Sequence, residues 1–148
     1  MAKAIVFYLS YSGNTKEVAE LIKNELDADG FTASMCEIGW GEIPDLSPYQ
    51  LIFIGTFTWD YGEVPHEVKD FVADLGYKPS NVYIYGTGDT QFGGDALFCK
   101  AADKLARFYH SPVAPLKIEQ SPRGSQQRLV SKWVQSILEA MKETEQSG

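Results

Sequence analysis

The sequence predicts an α/β fold: a doubly wound, five-stranded parallel sheet in the order 2-1-3-4-5, with helices on both faces and right-handed crossovers. Three observations carry this. Short apolar runs rich in β-branched and aromatic residues alternate with stretches of helical periodicity along all 148 residues. The runs at Ala4–Leu9, Leu51–Gly55 and Val82–Gly86 are continuously apolar, as central strands buried on both faces are. The two remaining runs are weaker, and one contains Pro115, as an edge strand tolerates.

Strand one is expected over Lys3–Leu9. Val18, Leu21, Ile22 and Leu26 then line one face of a helix over Thr15–Ala28. Asn14 is positioned to cap it, with Glu17 to close a capping box. Asp29-Gly30 ends it, Gly30 being a natural left-handed stop. Strand two follows over Phe31–Ile38. The next loop holds Gly39, Gly41, Pro44 and Pro48, with Trp40 and Ile43 as packing residues. Strand three is Leu51–Gly55, followed by a loop over Thr56–Glu63. Pro65 opens a helix whose apolar face is Val64, Val68, Phe71, Val72 and Leu75. Strand four, Val82–Gly86, leads into a loop over Thr87–Asp95. The following helix presents Leu97, Ala101, Leu105 and Phe108. Strand five spans Val113–Ile118, and a turn at Pro122-Arg123-Gly124 opens the last helix. Val130, Trp133, Val134, Ile137, Leu138 and Met141 form its apolar face, and the polar end, Glu143–Gly148, is expected to fray.

The length fits one domain, and a 44% hydrophobic composition supplies a sizeable core. The first apolar run is strand-length, so neither a signal peptide nor a membrane span is expected. A net charge of -7 argues against nucleic acid and anionic membranes and for basic protein partners. Cys36 and Cys99 form no C-x-x-C and no Cys/His cluster, so they read as reduced core fillers of a cytoplasmic protein. His66 and His110 read as surface or helix residues.

In a sheet of this order, ligands bind beyond the carboxyl ends of the strands, at the switch point between strands one and three. The loops after strands one, three and four meet there. The first, Ser10-Tyr11-Ser12-Gly13-Asn14-Thr15, offers hydroxyls and helix-start amides to a phosphate. It has no lysine, so it is not a Walker loop, and Gly13 stands alone, so it is not a dinucleotide fingerprint. By itself it is equally an ordinary Ser/Gly turn. The second loop, Thr56-Phe57-Thr58-Trp59-Asp60-Tyr61-Gly62-Glu63, carries two aromatics outside any apolar periodicity. The third, Gly86-Thr87-Gly88-Asp89-Thr90-Gln91-Phe92-Gly93-Gly94-Asp95, sets Phe92 among glycines that let backbone approach a ligand. A phosphate cradle beside two aromatic-bearing loops describes a site for a flat ring tethered to a phosphate.

These motifs resemble those of short-chain flavodoxins over essentially the whole length. Ser10, Ser12, Gly13, Asn14 and Thr15 match the family's FMN phosphate loop. Thr58 and Trp59 match the motif against the inner flavin face. Gly86, Gly88 and Asp89 match the third motif, with Phe92 in place of its stacking tyrosine. The resemblance implies FMN as cofactor, held by Ser10, Tyr11, Ser12, Gly13, Asn14, Thr15, Thr56, Phe57, Thr58, Trp59, Asp60, Tyr61, Gly62, Thr87, Gly88, Asp89, Phe92, Gly94 and Asp95. It also implies a monomeric, low-potential electron carrier without substrate turnover, serving a basic flavin reductase as donor and redox enzymes as acceptors. No insertion splits the fifth strand, as in the short-chain group.

Two positions depart from the family pattern. Asp60 stands where a glycine usually follows the Trp, and its side chain disfavours the φ > 0 conformations open to glycine. The expectation is weaker stabilisation of the one-electron-reduced flavin. Phe92 keeps a stacking face without a hydroxyl, and Tyr61 is placed to share that cover. The carboxylates Asp60, Glu63, Asp89 and Asp95 would disfavour the anionic, fully reduced flavin and lower its potential. A flavin reductase of the same fold, or a ribonucleotide-reductase activator, is the alternative. A signalling receiver domain shares the strand order but needs acids where strand one here ends in Leu9-Ser10-Tyr11. A flavin-free scaffold would leave Trp59 and Phe92 unexplained.

Overall fold

The computed structural model describes residues 2–9, 13–39, 42–57, 65–88, 100–119 and 124–147. Its strands are β1 (Lys3–Tyr8), β2 (Thr32–Glu37), β3 (Leu51–Phe57), β4 (Val82–Gly88) and β5 (Leu116–Glu119). Its helices among the described residues are α1 (Asn14–Ala28), α2 (His66–Leu75), α3 (Lys100–Tyr109) and α4 (Ser125–Ser147). The five strands form one parallel sheet in the order β2-β1-β3-β4-β5, as the apolar ranking of the runs predicts.

The alternation of side chains along each strand sends neighbours to opposite faces, and each face has its own core. Ala4, Val6 and Tyr8 of β1, with Leu51 and Phe53 of β3, pack under α1 and α4 through Val18, Ile22, Leu26, Val134 and Ile137. Ile5 and Phe7, with Ile52 and Ile54, pack under α2 and α3 through Val68, Phe71, Leu105 and Tyr109. Phe53 and Ile54 are both fully buried, which makes β3 a two-sided strand. Burying such a side chain contributes about 1.5–3 kcal/mol. Polar bonds fasten the layers. Ser131 Oγ donates to Glu25 Oε1 at 2.6 Å and Gln135 Nε2 to Glu25 Oε2 at 3.0 Å, joining α4 to α1. Lys117 Nζ meets Asp103 Oδ2 at 2.8 Å, joining β5 to α3.

Several expected boundaries shift. β3 and β4 run past their glycines to Phe57 and Gly88, so Thr56, Phe57, Thr87 and Gly88 belong to strands and not to loops. The ladder continues because both strands do, pairing Thr56 with Gly86 and Phe57 with Thr87. Asn14 does not cap α1. Gly13, in the left-handed region at φ 94°, is the N-cap, and its carbonyl accepts the Glu17 N–H at 3.0 Å. Asn14 is thereby the first helical residue, and among the described residues no side chain caps the helix. Phe108 turns outward, 41% exposed, with Lys78 Nζ 4.1 Å from its ring centroid, and Tyr109 takes the buried position. Pro115 lies one residue ahead of β5, so the strand starts where amide donors resume. The last helix runs to Ser147, in keeping with its helix-forming Lys, Glu and Gln residues.

Gly30, at φ 93°, ends α1 as expected. Ile43 packs against the second core, and Cys36 is partly buried there with its thiol pushed up by burial. His66 and His110 are both exposed. Trp40, Gly41, Val64, Leu97, Cys99, Pro122 and Arg123 lie outside the described residues.

Candidate functional site

The start of α1 and the ends of β3 and β4 converge at the carboxyl edge of the sheet. Gly13 lets the chain enter α1 from the left-handed region, and a Cβ built there would meet nothing within 4 Å among the described residues. Glu17 makes the first intrahelical bond, and the helical amides ahead of it, Asn14 to Lys16, have no acceptor within the helix. With the positive end of the helix dipole they form a neutral anion cradle. Because Asn14 does not cap, its side chain does not occupy those amides.

Behind the cradle sit three buried threonines, Thr15, Thr56 and Thr87, at 1%, 0% and 3% exposure. Thr15 Oγ1 and Thr87 Oγ1 are 2.8 Å apart and hydrogen-bonded, a contact between residues 72 positions apart. Thr56 Oγ1 donates to the Phe57 carbonyl at 2.9 Å. Thus Gly13, Asn14, Thr15, Thr56, Phe57, Thr87 and Gly88 fall on one end of the sheet. Ser10, Tyr11, Ser12, Thr58, Trp59, Asp60, Tyr61, Gly62, Asp89, Phe92, Gly94 and Asp95 lie outside the described residues, as does Glu63.

Sequence reasoning missed the brace beneath this edge. Tyr8, Gly55 and Tyr85 stand side by side in register on β1, β3 and β4. The Tyr85 ring lies across Gly55, and its hydroxyl donates to the Phe7 carbonyl at 2.9 Å, joining β4 to β1 over the intervening strand. Burial, and secondarily the neighbouring Tyr8, hold the Tyr85 phenol well above its usual range, so it remains a donor. The available signal was Gly55 itself, since a glycine inside a strand marks a close approach. Tyr109 is the one buried side-chain hydroxyl without a partner among the described residues, and burial pushes its phenol up to about 12. Among the described residues no cluster of His, Cys, Asp and Glu is placed to hold a metal, and no helix is long and apolar enough to cross a membrane.

The donor set fits the phosphate end of a flavin mononucleotide: open helix-start amides, a glycine turn and a buried hydroxyl pair. Comparison with known proteins gives the same reading. The chain is 33% identical over 130 residues to "Probable flavodoxin 1" of Bacillus subtilis (strain 168), covering 82% of this chain and 80% of that protein. It is 30% identical over 141 residues to "Probable flavodoxin 2" of the same organism, covering 86% and 88%. The crystal structure of oxidised Flavodoxin 2 from Bacillus cereus superposes with a TM-score of 0.81 at 31% identity, over 94% of this chain and 99% of that one. The family pattern described as Flavodoxin matches residues 6–110, from within β1 to just past the end of α3. On that match the chain belongs to the flavodoxin family, whose members bind FMN and carry electrons rather than turn over a substrate.

Proposed function

We propose that this chain is a single-domain, monomeric, low-potential carrier of single electrons. It takes them from a basic, flavin-dependent reductase and delivers them to acceptor enzymes in the cytoplasm. The observation that carries the reading is the cradle at the start of α1 joined by a buried hydroxyl bond to the end of β4. An anion held by those amides would be neutralised without a cation, and the two strand ends beside it lead into both aromatic loops of the sequence.

When bound, FMN supplies the one-electron chemistry. The protein's part is to bind, orient and tune. Gly13, Asn14 and Thr15, with Ser10, Tyr11 and Ser12, would hold the phosphate. Thr56, Phe57, Thr58, Trp59, Asp60, Tyr61 and Gly62 would flank one side of the ring. Gly88, Asp89, Phe92, Gly94 and Asp95 would flank the other, while Thr87, bonded to Thr15, would stand behind the phosphate end. Stacking favours the uncharged oxidised ring, and the loop carboxylates oppose added negative charge, so both lower the potential.

Stepwise anaerobic reduction followed by visible absorption tests this reading. A flavin spectrum with equimolar acid-released FMN, and no turnover of a nicotinamide by the protein alone, is the expected result. Nicotinamide oxidation without a partner would turn the reading to a reductase, and no flavin after adding FMN would overturn it. The same titration tests Asp60. Asp60→Gly should raise the largest one-electron-reduced fraction, a tenfold gain in that form corresponding to roughly 59 mV in a one-electron potential. An unchanged fraction would remove Asp60 from the tuning.

A further inference from the structure

We propose that Thr87 is a positioning residue for the phosphate end of the site. Its hydroxyl holds the Thr15 hydroxyl in the orientation that donates to the anion, and so links the end of β4 to the start of α1. This rests on the FMN reading above.

The bond is buried from both sides, with Thr15 1% and Thr87 3% exposed, so water does not compete for either hydroxyl. Two hydroxyls 2.8 Å apart share one proton between them, and either can be the donor. The partner that decides the direction lies outside the pair. Thr15 is the second residue of α1, within the turn whose amides lack intrahelical acceptors. An anion there accepts the Thr15 proton, and Thr87 then donates to the Thr15 oxygen. The result is a donor chain from Thr87 to Thr15 to the anion, in which each bond polarises the next. The strand holds Thr87 rigidly, since Phe57 pairs with it in the β3–β4 ladder. The chain is therefore specific to the phosphate and contributes nothing to the ring.

Affinities of the flavin-stripped protein for FMN and for riboflavin, which lacks the phosphate, test this. Thr87→Val removes the hydroxyl at nearly constant volume in a residue suited to strands. It should weaken FMN about tenfold and leave riboflavin unchanged, as loss of one bond in a charged network does. Thr87→Ser should restore FMN affinity. In a Thr15→Val background the Thr87→Val change should have no further effect, because its route is gone. Equal losses for FMN and riboflavin, unchanged FMN affinity, or full additivity of the two substitutions would each overturn the proposal. If Thr87→Val does not fold, Thr87→Ala is read by the same ratio of the two flavins. Failure of the unaltered protein to bind either flavin would overturn the FMN reading itself, a different result from any of these.

Discussion

A methyl group at position 55 would collide with the Tyr85 ring. A Cβ built on Gly55 falls 2.0 Å from Tyr85 Cζ and 2.5 Å from its hydroxyl oxygen. The ring is fully buried and tied to the Phe7 carbonyl, so it cannot swing aside without breaking that bond. Gly55→Ala should cost at least about 3 kcal/mol, at the upper end of overpacking penalties, because it also orphans a buried phenol. Urea unfolding at neutral pH measures this. In a Tyr85→Ala background the same substitution should cost much less, since the colliding atoms are gone. A similar loss in both backgrounds would show that the strain lies in the backbone. At this scale the sequence is legible where a residue's need is intrinsic. Gly30 reads as a helix stop because only its backbone matters. Asn14 misleads because a good cap residue sits one position after a glycine that turns the chain first. Gly55 hinted at a close approach, but the Tyr85 bond itself was not legible, since its acceptor is 78 residues away.

Helix ends show the same logic between elements. At the end of α1 the Gly30 N–H bonds the Asp27 carbonyl at 3.2 Å and the Phe31 N–H bonds the Leu26 carbonyl at 3.0 Å. At the end of α3 the His110 N–H bonds the Arg107 carbonyl at 3.3 Å and the Ser111 N–H bonds the Ala106 carbonyl at 3.0 Å. Both are Schellman closures, but the left-handed residue is glycine in one and His110, at φ 51°, in the other. A side chain there costs about 1–2 kcal/mol, partly offset by the extra entropy a glycine loses on folding. His110→Gly should therefore raise stability by about 1 kcal/mol, read as a shift in the urea midpoint at constant slope. A lower midpoint would mean that the imidazole makes a contact worth more than the strain. The strand ends were the less legible elements. Gly55 and Gly86 read as stops, yet Thr56, Phe57 and Thr87 are β-branched or aromatic and continue the ladder once partners are present. As a result, part of the candidate site stands on strands, which hold it more firmly than loops would.

For the molecule as a whole, strand order was legible because it depends on which runs are apolar on both faces, and this survives errors of two residues at any boundary. Charge distribution is legible in the same way. The segments that follow β1, β3 and β4 in the sequence contain Asp60, Glu63, Asp89 and Asp95 and no lysine or arginine, four carboxylates in a chain whose net charge is -7. Elsewhere, cations are partly consumed in pairs such as Lys23–Asp27 and Lys117–Asp103. The basic donor proposed above would meet this charge in the segments that lead on from the candidate site. Such a field orients the encounter before contact and raises the association rate by about tenfold or more at low salt. It is screened once the Debye length falls to roughly 10 Å near 0.1 M salt. Stopped-flow reduction of the loaded protein by a basic flavin reductase should thus slow steeply between low salt and 0.1 M and then level off. Reduction by a neutral small molecule should be indifferent to salt over the same range. Exchanging Asp60 and Asp89 for asparagine should flatten the reductase dependence, whereas exchanging two carboxylates at the far end of the sheet should not. If both pairs flatten it equally, steering comes from net charge alone, and Asp60 and Asp89 serve the potential and not the encounter.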